Sequence, residues 1–144
     1  MKPVEESITV NAPIEKVFEY VSDFTRHGEW SGHGLEVSGT AGPVAVGATF
    51  STVAKQFGTQ REQSTVTEVR QNAAFAWESK GALGVVRHWF GVTGQDGSTV
   101  LAKGLEVVQP TFLAKVMGWR ISLAPSKLLR QDLEKIKAAV EGSG

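Results

Sequence analysis

The chain has 144 residues, of which 41% are hydrophobic and 21% charged, which is typical of one globular domain covering residues 1–144. Its 15 basic and 15 acidic residues cancel and the basic ones are scattered, which argues against a nucleic-acid partner. The absence of cysteine excludes disulfides and thiolate chemistry, and no apolar run approaches the roughly 18 residues of a membrane span.

The N-terminal part predicts a strand followed by two short helices. Residues 4–10 alternate loosely and are rich in β-branched side chains, which favours a strand. Asn11 is a good capping residue and Pro13 suits the first turn of a helix, so a helix should begin here. Asp23 should open a second short helix that ends near Trp30. The apolar face of the first helix comprises Ile14, Val17, Phe18 and Val21.

The middle of the chain predicts a series of strands joined by turns. Asp96-Gly97 is the strongest hairpin signal, because both residues tolerate the positive φ of a tight turn. Short connections of this kind join antiparallel neighbours. The predicted strands cover residues 35–39, 48–56, 59–70, 73–79, 85–94 and 98–108.

A long helix should follow Pro110, which ends the last strand. Pro125 lies inside this segment, and a proline there predicts a kink or break over residues 122–125. The apolar positions recur at helical spacing; they are Phe112, Val116, Trp119, Leu123, Leu129, Leu133, Ile136 and Val140.

This order of elements predicts an α+β fold in which a curved, seven-stranded antiparallel sheet surrounds the long C-terminal helix. One helix covers only one face of such a sheet, and the sheet must curve around it. The two short helices between the first two strands would close one end, leaving a cavity of the kind that binds apolar molecules.

Four segments in this order resemble the helix-grip superfamily of START domains and pollen-allergen-like proteins, in the polyketide cyclase/dehydrase branch of the SRPBCC proteins. They are SITVNAPIEKVFEYVSDFTRHGEW, VTEVRQNAAFAW, DGSTV and DLEKIKAAVE. The resemblance implies the helix-grip fold and a small hydrophobic ligand such as a lipid, hormone or polyketide. It does not imply catalysis, since only some members are enzymes and fold alone does not establish activity.

The expected ligand-binding residues are mostly aromatic or aliphatic, and each of them has ordinary core packing as its alternative role. Period-two alternation puts Phe75 and Trp77 on one strand face, and His88 and Phe90 on one face of the next strand. The resemblance adds Trp30 at the mouth of the cavity and Leu101 facing inward. The full apolar set is Trp30, Phe50, Phe75, Trp77, Phe90, Leu101, Val116, Trp119 and Leu123.

Three polar residues are candidates for orienting or transforming a ligand. His88 is suited to hydrogen bonding or proton transfer near neutral pH, unless it is structurally satisfied or partly exposed. Lys103 shares the face of Leu101, so it either meets a ligand anion or a glutamate, or turns toward solvent by a bulge or snorkelling. Arg120 either clamps a ligand oxygen or lies on a solvated helix face.

Other chemistry has little support in the sequence. His27 and His33 lie six residues apart without the spacing of a metal site, and we interpret them as part of a surface loop. Neither a phosphate-binding loop nor a nucleophilic serine motif is present, so we expect no metal and no cofactor. A cytoplasmic monomer or homodimer without stable membrane insertion fits this sequence best.

Two functions therefore remain open. The first is a binding module that holds a small hydrophobic, lipid-like, aromatic or polyketide-like molecule. The second is a cofactor-free cyclase or dehydratase in which His88 moves a proton and Lys103 or Arg120 stabilises an enolate.

Overall fold

The computed structural model describes residues 3–31, 36–39, 44–54, 60–81, 84–110, 112 and 125–142. Within these residues the elements follow the predicted order. The strands are β1 (Val4–Val10), β2 (Glu36–Gly39), β3 (Thr49–Ala54), β4 (Gln60–Arg70), β5 (Ala74–Gly81), β6 (Gly84–Gln95) and β7 (Ser98–Pro110). The helices are α1 (Ile14–Ser22), a 3₁₀ helix (Phe24–Glu29) and α2 (Pro125–Gly142).

All described strands belong to one antiparallel sheet with the order β1-β7-β6-β5-β4-β3-β2. Among these strands, only the connection from β1 to β2 crosses the sheet, and it carries α1 and the 3₁₀ helix. The remaining strands form a meander, as the short turns predict. The turn between β6 and β7 has positive φ at both Asp96 and Gly97, in agreement with the hairpin signal. The predicted helix-grip α+β fold is thus confirmed.

Helix α1 packs its apolar face into the core, with Val17, Phe18 and Val21 buried. The prediction that Asn11 caps this helix is wrong, because Pro13 occupies the capping position and no side chain caps it. The backbone N–H of Asn11 instead donates to Glu141 Oε2 over 3.0 Å, which ties the start of α1 to the end of α2. Asp23 does open the 3₁₀ helix, where its Oδ1 accepts a hydrogen bond from the backbone N–H of Thr25.

Helix α2 crosses the concave face at the β1–β7 edge. Three core side chains of α2 join the same cluster as the inward residues of the sheet; they are Leu133, Ile136 and Val140. Two hydrogen bonds join α2 to β1. Arg130 Nη2 donates to Glu6 Oε2 over 3.0 Å, and Lys137 Nζ donates to the carbonyl oxygen of Thr9 over 2.8 Å. Pro125 begins this helix, where the missing N–H costs no intrahelical bond. The break predicted over residues 122–125 falls largely outside the described residues.

The side chain of Trp89 lies on the convex face of the sheet. Its Nε1 donates to Glu5 Oε2 over 2.6 Å. Its ring covers Gly104 so closely that a Cβ on that glycine would lie 2.2 Å from Trp89 Cε2, which explains why glycine occupies this position. Because successive residues of a strand face opposite sides, His88 and Phe90 must face the concave side. The sequence-based assignment of faces for β6 is therefore correct.

Candidate functional site

Aromatic side chains cover the middle of the concave face. Phe75 and Trp77 project from β5, where they lie opposite Phe90 and His88 of β6. Phe75 and Phe90 are fully buried and Trp77 nearly so. The ring centroids of Trp77 and Phe90 lie 5.7 Å apart, and those of Phe75 and Trp77 lie 5.5 Å apart. These separations are typical of favourable aromatic pairs. We call Phe75, Trp77 and Phe90 the aromatic floor.

A second aromatic layer comes from the 3₁₀ helix and the residue that follows it. Phe24, His27 and Trp30 are spaced three residues apart, which matches the three residues per turn of a 3₁₀ helix and aligns them on one side. The ring centroid of His27 lies 4.3 Å from that of Phe24 and 4.8 Å from that of Trp30. It also lies 4.9 Å from Trp77, so the layer rests on the aromatic floor.

His27 is the centre of this layer, and the interpretation of it as a surface-loop residue is wrong. Its side chain is 1% exposed, and Nε2 lies 2.9 Å from the Val21 carbonyl oxygen. A carbonyl only accepts, so Nε2 carries the proton. Burial lowers the pKa of His27 to about 3, and the charge of Lys103 adds to this shift. His27 is therefore a neutral core residue near pH 7 and not a proton carrier there.

Lys103 faces inward and is buried, so it does not turn toward solvent. Its Nζ lies 3.6 Å from Asp132 Oδ2 of α2, so its charged partner among the described residues is an aspartate and not the glutamate that the sequence suggests. The ammonium also lies 5.3 Å from the ring centroid of Trp30 and 5.8 Å from that of Phe90. Burial lowers the pKa of Lys103, and the negative charge of Asp132 opposes that shift. The arrangement places a cation beside the aromatic floor.

His88 lies on the concave face next to the floor. Its ring stacks on Trp77 with centroids 5.0 Å apart and an interplanar angle of 8°. The residue opposite it on β7 is Leu105, two positions from Lys103. The half-buried imidazole thus lies within the same surface as the buried lysine, as the strand pattern predicts.

The indole N–H of Trp30 is a buried hydrogen-bond donor with an unusual environment. The residue is 3% exposed, and its Nε1 is buried without a hydrogen-bond partner among the described residues. Nearly all buried polar groups in proteins are paired, so an exception calls for an explanation such as a bound molecule.

Phe50 and Leu101 lie at opposite margins of this surface. Phe50 of β3 stacks on Phe24, with ring centroids 4.5 Å apart and planes 10° apart. Leu101 of β7 is fully buried between Ile8 and Val92 in the sheet register. Leu101 shares its hydrophobic cluster with α2, so it belongs to the packed core where helix meets sheet.

Three buried hydroxyl groups continue the concave face beyond the aromatic floor, and sequence reasoning did not single them out. Ser64 of β4 and Ser79 of β5 lie opposite each other, with their Oγ atoms 2.8 Å apart. Thr52 of β3 is equally buried, and its Oγ1 donates to the Glu62 carbonyl over a long 3.5 Å. Alternation from Trp77 places Ser79 on the same face, which is the signal that would have revealed it.

The remaining predicted residues are those of the segment before α2. Val116, Trp119, Arg120 and Leu123 lie outside the described residues. Phe112, the first of the apolar positions at helical spacing, is described, and its side chain is 82% exposed. No group of metal-ligating side chains occurs in the described part of the chain. Among the same residues no helix has the length and apolar character that crossing a membrane requires.

Comparison with protein families gives one match, over residues 1–141, to the family described as polyketide cyclase/dehydrase and lipid transport. The chain belongs to this family. A search of curated proteins finds no relative that matches.

Solved structures of the same fold support the architecture of this polyketide cyclase/dehydrase family member. Protein TTHA0849 from Thermus thermophilus is 14% identical with a TM-score of 0.78, over 99% of each chain. A conserved protein from Geobacillus kaustophilus is 16% identical with a TM-score of 0.74, over 99% of this chain and 97% of its own. DynU16, from the dynemicin biosynthetic locus, is 18% identical with a TM-score of 0.62, over 96% of this chain and 48% of its own. At these identities the likeness concerns the fold alone.

Proposed function

We propose that the protein binds a small, mostly apolar molecule, lipid-like, aromatic or polyketide-like, in an internal site between the sheet and the C-terminal helix, next to Trp30. The observation that carries the proposal is the buried Trp30 Nε1, which has no hydrogen-bond partner among the described residues. The family description, which joins polyketide cyclases and dehydrases with lipid transport, supports a ligand of this class.

The physical argument combines apolar walls with a small number of polar groups, as in most small-molecule sites. An unpaired buried donor costs about 1–3 kcal/mol, and a ligand oxygen that accepts from Trp30 removes that cost. The Lys103 ammonium lies 5.3 Å from the same indole ring, so an oxygen with negative charge gains further attraction there. The aromatic side chains around Trp30 and Lys103 make these surroundings suitable for a mostly apolar molecule.

We expect the anionic probe 1-anilinonaphthalene-8-sulfonate to bind saturably to the folded protein, with a rise in probe fluorescence. Trp30→Phe keeps an aromatic ring but removes the N–H, so its dissociation constant should rise by roughly 2–10-fold, the value of one hydrogen bond. Fluorescence titration at pH 7 measures both constants.

Trp89→Phe is the matched control, because it removes the same N–H from the convex face, where Trp89 binds Glu5. Its affinity for the probe should equal that of the wild type. Absence of saturable binding to the wild type would contradict the proposed function. Equal weakening by the two substitutions would show that the probe does not use Trp30.

A second candidate function is cofactor-free ring closure, favoured by the position of His88 on the same surface as Lys103. In such a reaction a base removes a proton from a carbon between two carbonyls. The resulting enolate carbon then attacks another carbonyl of the same molecule, and the new alkoxide takes up a proton. Loss of one water completes the dehydration. His88 would move the proton, and Lys103 or Arg120 would stabilise the enolate oxygen.

If this reaction occurs, His88→Ala should lower its rate on a linear poly-β-ketone substrate by about 10²–10⁴-fold, the usual contribution of a general acid or base. Product formation followed by mass spectrometry, as loss of one water from the substrate, measures this rate. An unchanged rate in His88→Ala would exclude the proposed role of His88. Retained probe binding in the same variant would show that the site itself is intact.

A further inference from the structure

The buried serine pair marks a second polar position on the concave face, separate from the one at Trp30 and Lys103. Ser64 is 1% exposed and Ser79 is 5% exposed. The register pairs Ser64 with Phe50 on one side and with Ser79 on the other, so both hydroxyls share the face that carries Trp77. Side chains in the middle of a buried sheet face are normally apolar, which makes this pair an exception.

Ser64 and Ser79 can form more hydrogen bonds than the one between them. Two hydroxyls carry two protons, and the single bond between their Oγ atoms, 2.8 Å apart, uses one of them. One proton of the pair and further lone pairs therefore remain for another partner. Thr52 nearby makes only a 3.5 Å contact to a carbonyl, at the weak limit of a hydrogen bond. A third oxygen placed here would gain a donor and an acceptor.

The two polar positions are far enough apart to act on opposite ends of one molecule. Lys103 lies opposite Phe90, which lies opposite Phe75, and Ser79 follows four residues along β5. Two strand spacings of about 4.8 Å and four residues of about 3.3 Å place the Cα atoms of Lys103 and Ser79 roughly 16 Å apart. Trp77 of the aromatic floor lies between them.

We infer that Ser64 and Ser79 form a second polar subsite, which binds an oxygen substituent at the end of an elongated ligand opposite to Trp30 and Lys103. One end carries an acidic or carbonyl oxygen for Trp30 and Lys103, and the other carries a hydroxyl or carbonyl for Ser64 and Ser79. A fatty acid has a polar group at only one end and would leave the serine pair against its apolar tail. This inference rests on the proposed function and narrows the ligand class.

Two aromatic probes and one lipid probe test whether the serine pair binds the ligand. The aromatic probes are 9,10-anthraquinone-2-carboxylic acid and its 4,5-dihydroxy derivative, which differ only in the ring hydroxyls, and the lipid is palmitate. The dihydroxy probe should bind the wild type roughly tenfold more tightly than the plain acid, the effect of one or two hydrogen bonds. The double variant Ser64→Ala/Ser79→Ala should abolish this preference, so that it binds the two acids with similar dissociation constants. Calorimetric titration measures all constants.

Ser51→Ala is the matched control, since Ser51 is exposed on the opposite face of β3 and its hydroxyl donates to Gln63. It should keep the full preference, and thermal unfolding should show that both variants are folded. Equal affinities of the two aromatic probes for the wild type, or a preference that survives the double variant, would overturn the inference while leaving the proposed function intact. Palmitate binding more tightly than the dihydroxy probe would do the same. Binding of none of the three would overturn both.

Discussion

Lys103→Met should lower the free energy of unfolding by about 3–5 kcal/mol at pH 7, the largest effect we expect from a single substitution in this chain. The lysine is buried, and its Nζ lies 3.6 Å from the buried carboxylate of Asp132. Removing the cation takes the charge of Lys103 away from a carboxylate in a poorly solvated place. Methionine keeps most of the side-chain length, so the loss reports charge more than packing. Urea unfolding followed by circular dichroism measures the effect.

The double variant Lys103→Met/Asp132→Leu provides the matched comparison. Replacing both charges by apolar groups of similar size removes the desolvation cost along with the attraction, so its stability should lie close to that of the wild type. A double-mutant cycle then isolates the coupling between the two residues. Strictly additive losses in the double variant would show that the pair does not interact energetically.

The same set of variants separates the effect of the Lys103–Asp132 pair on stability from its effect on ligand binding. A double variant that is as stable as the wild type but binds 1-anilinonaphthalene-8-sulfonate more weakly would indicate that the ion pair is retained for the ligand. This outcome follows from the position of the ammonium against the rings of Trp30 and Phe90. Buried ion pairs are often no better for stability than apolar replacements, so weaker probe binding by a stable double variant is the result that would show a functional reason for this one.

The strands were predictable from the sequence because their signals are local. Each described strand ends within about two residues of its predicted boundary, and Asp96-Gly97 forms the expected turn. Alternation of side chains within a strand also gave the correct face for Trp77, His88 and Phe90. Such patterns depend on neighbouring residues and not on the rest of the fold.

The partner of Lys103 was not predictable in the same way. Asp132 is distant in sequence, and its contact with β7 depends on how α2 lies across the sheet. A weak signal exists, since Asp132 falls three residues after Leu129 and four before Ile136, on the stripe that becomes buried. A charged residue within an apolar helical stripe is reason to search the facing strands for an opposite charge.

His27 was misassigned for a different reason. The spacing of Phe24, His27 and Trp30 has a period of three, which a search for the 3.6-residue period of an α-helix does not reveal. Short 3₁₀ segments resemble turns in composition, and turns are usually exposed. The apolar residues on both sides of His27 at this spacing were the available indication that it is buried.

The consequence of burying His27 is a specific loss of stability in acid. Its pKa is lowered in the folded protein to about 3 from the ordinary value of 6.5, chiefly by burial. The unfolded chain therefore binds a proton that the folded protein excludes. Stability from this residue is fully present above about pH 6.5 and is lost as pH falls toward 3, by about 1.4 kcal/mol for each pH unit. Over the whole interval the loss approaches about 5 kcal/mol, comparable to the total stability of many domains.

His27→Phe should remove this dependence while keeping an aromatic ring in the stack. The variant loses the hydrogen bond to the Val21 carbonyl, which lowers stability by an amount that does not change with pH. Carboxyl groups titrate in both proteins, so the informative quantity is the difference in unfolding free energy between wild type and variant from pH 7 to pH 4. That difference should shrink steadily, and even reverse sign, as the pH is lowered.

The ring carbon signals of His27 in NMR spectra give an independent check, because they should stay at their neutral positions down to about pH 4. A midpoint near 6.5 would show that water reaches the imidazole and that the aromatic layer opens. In that case the pH-dependent difference between the two proteins would vanish as well. A neutral His27 in both measurements would establish that the layer of Phe24, His27 and Trp30 is a rigid wall, against which Trp30 holds its buried N–H in place.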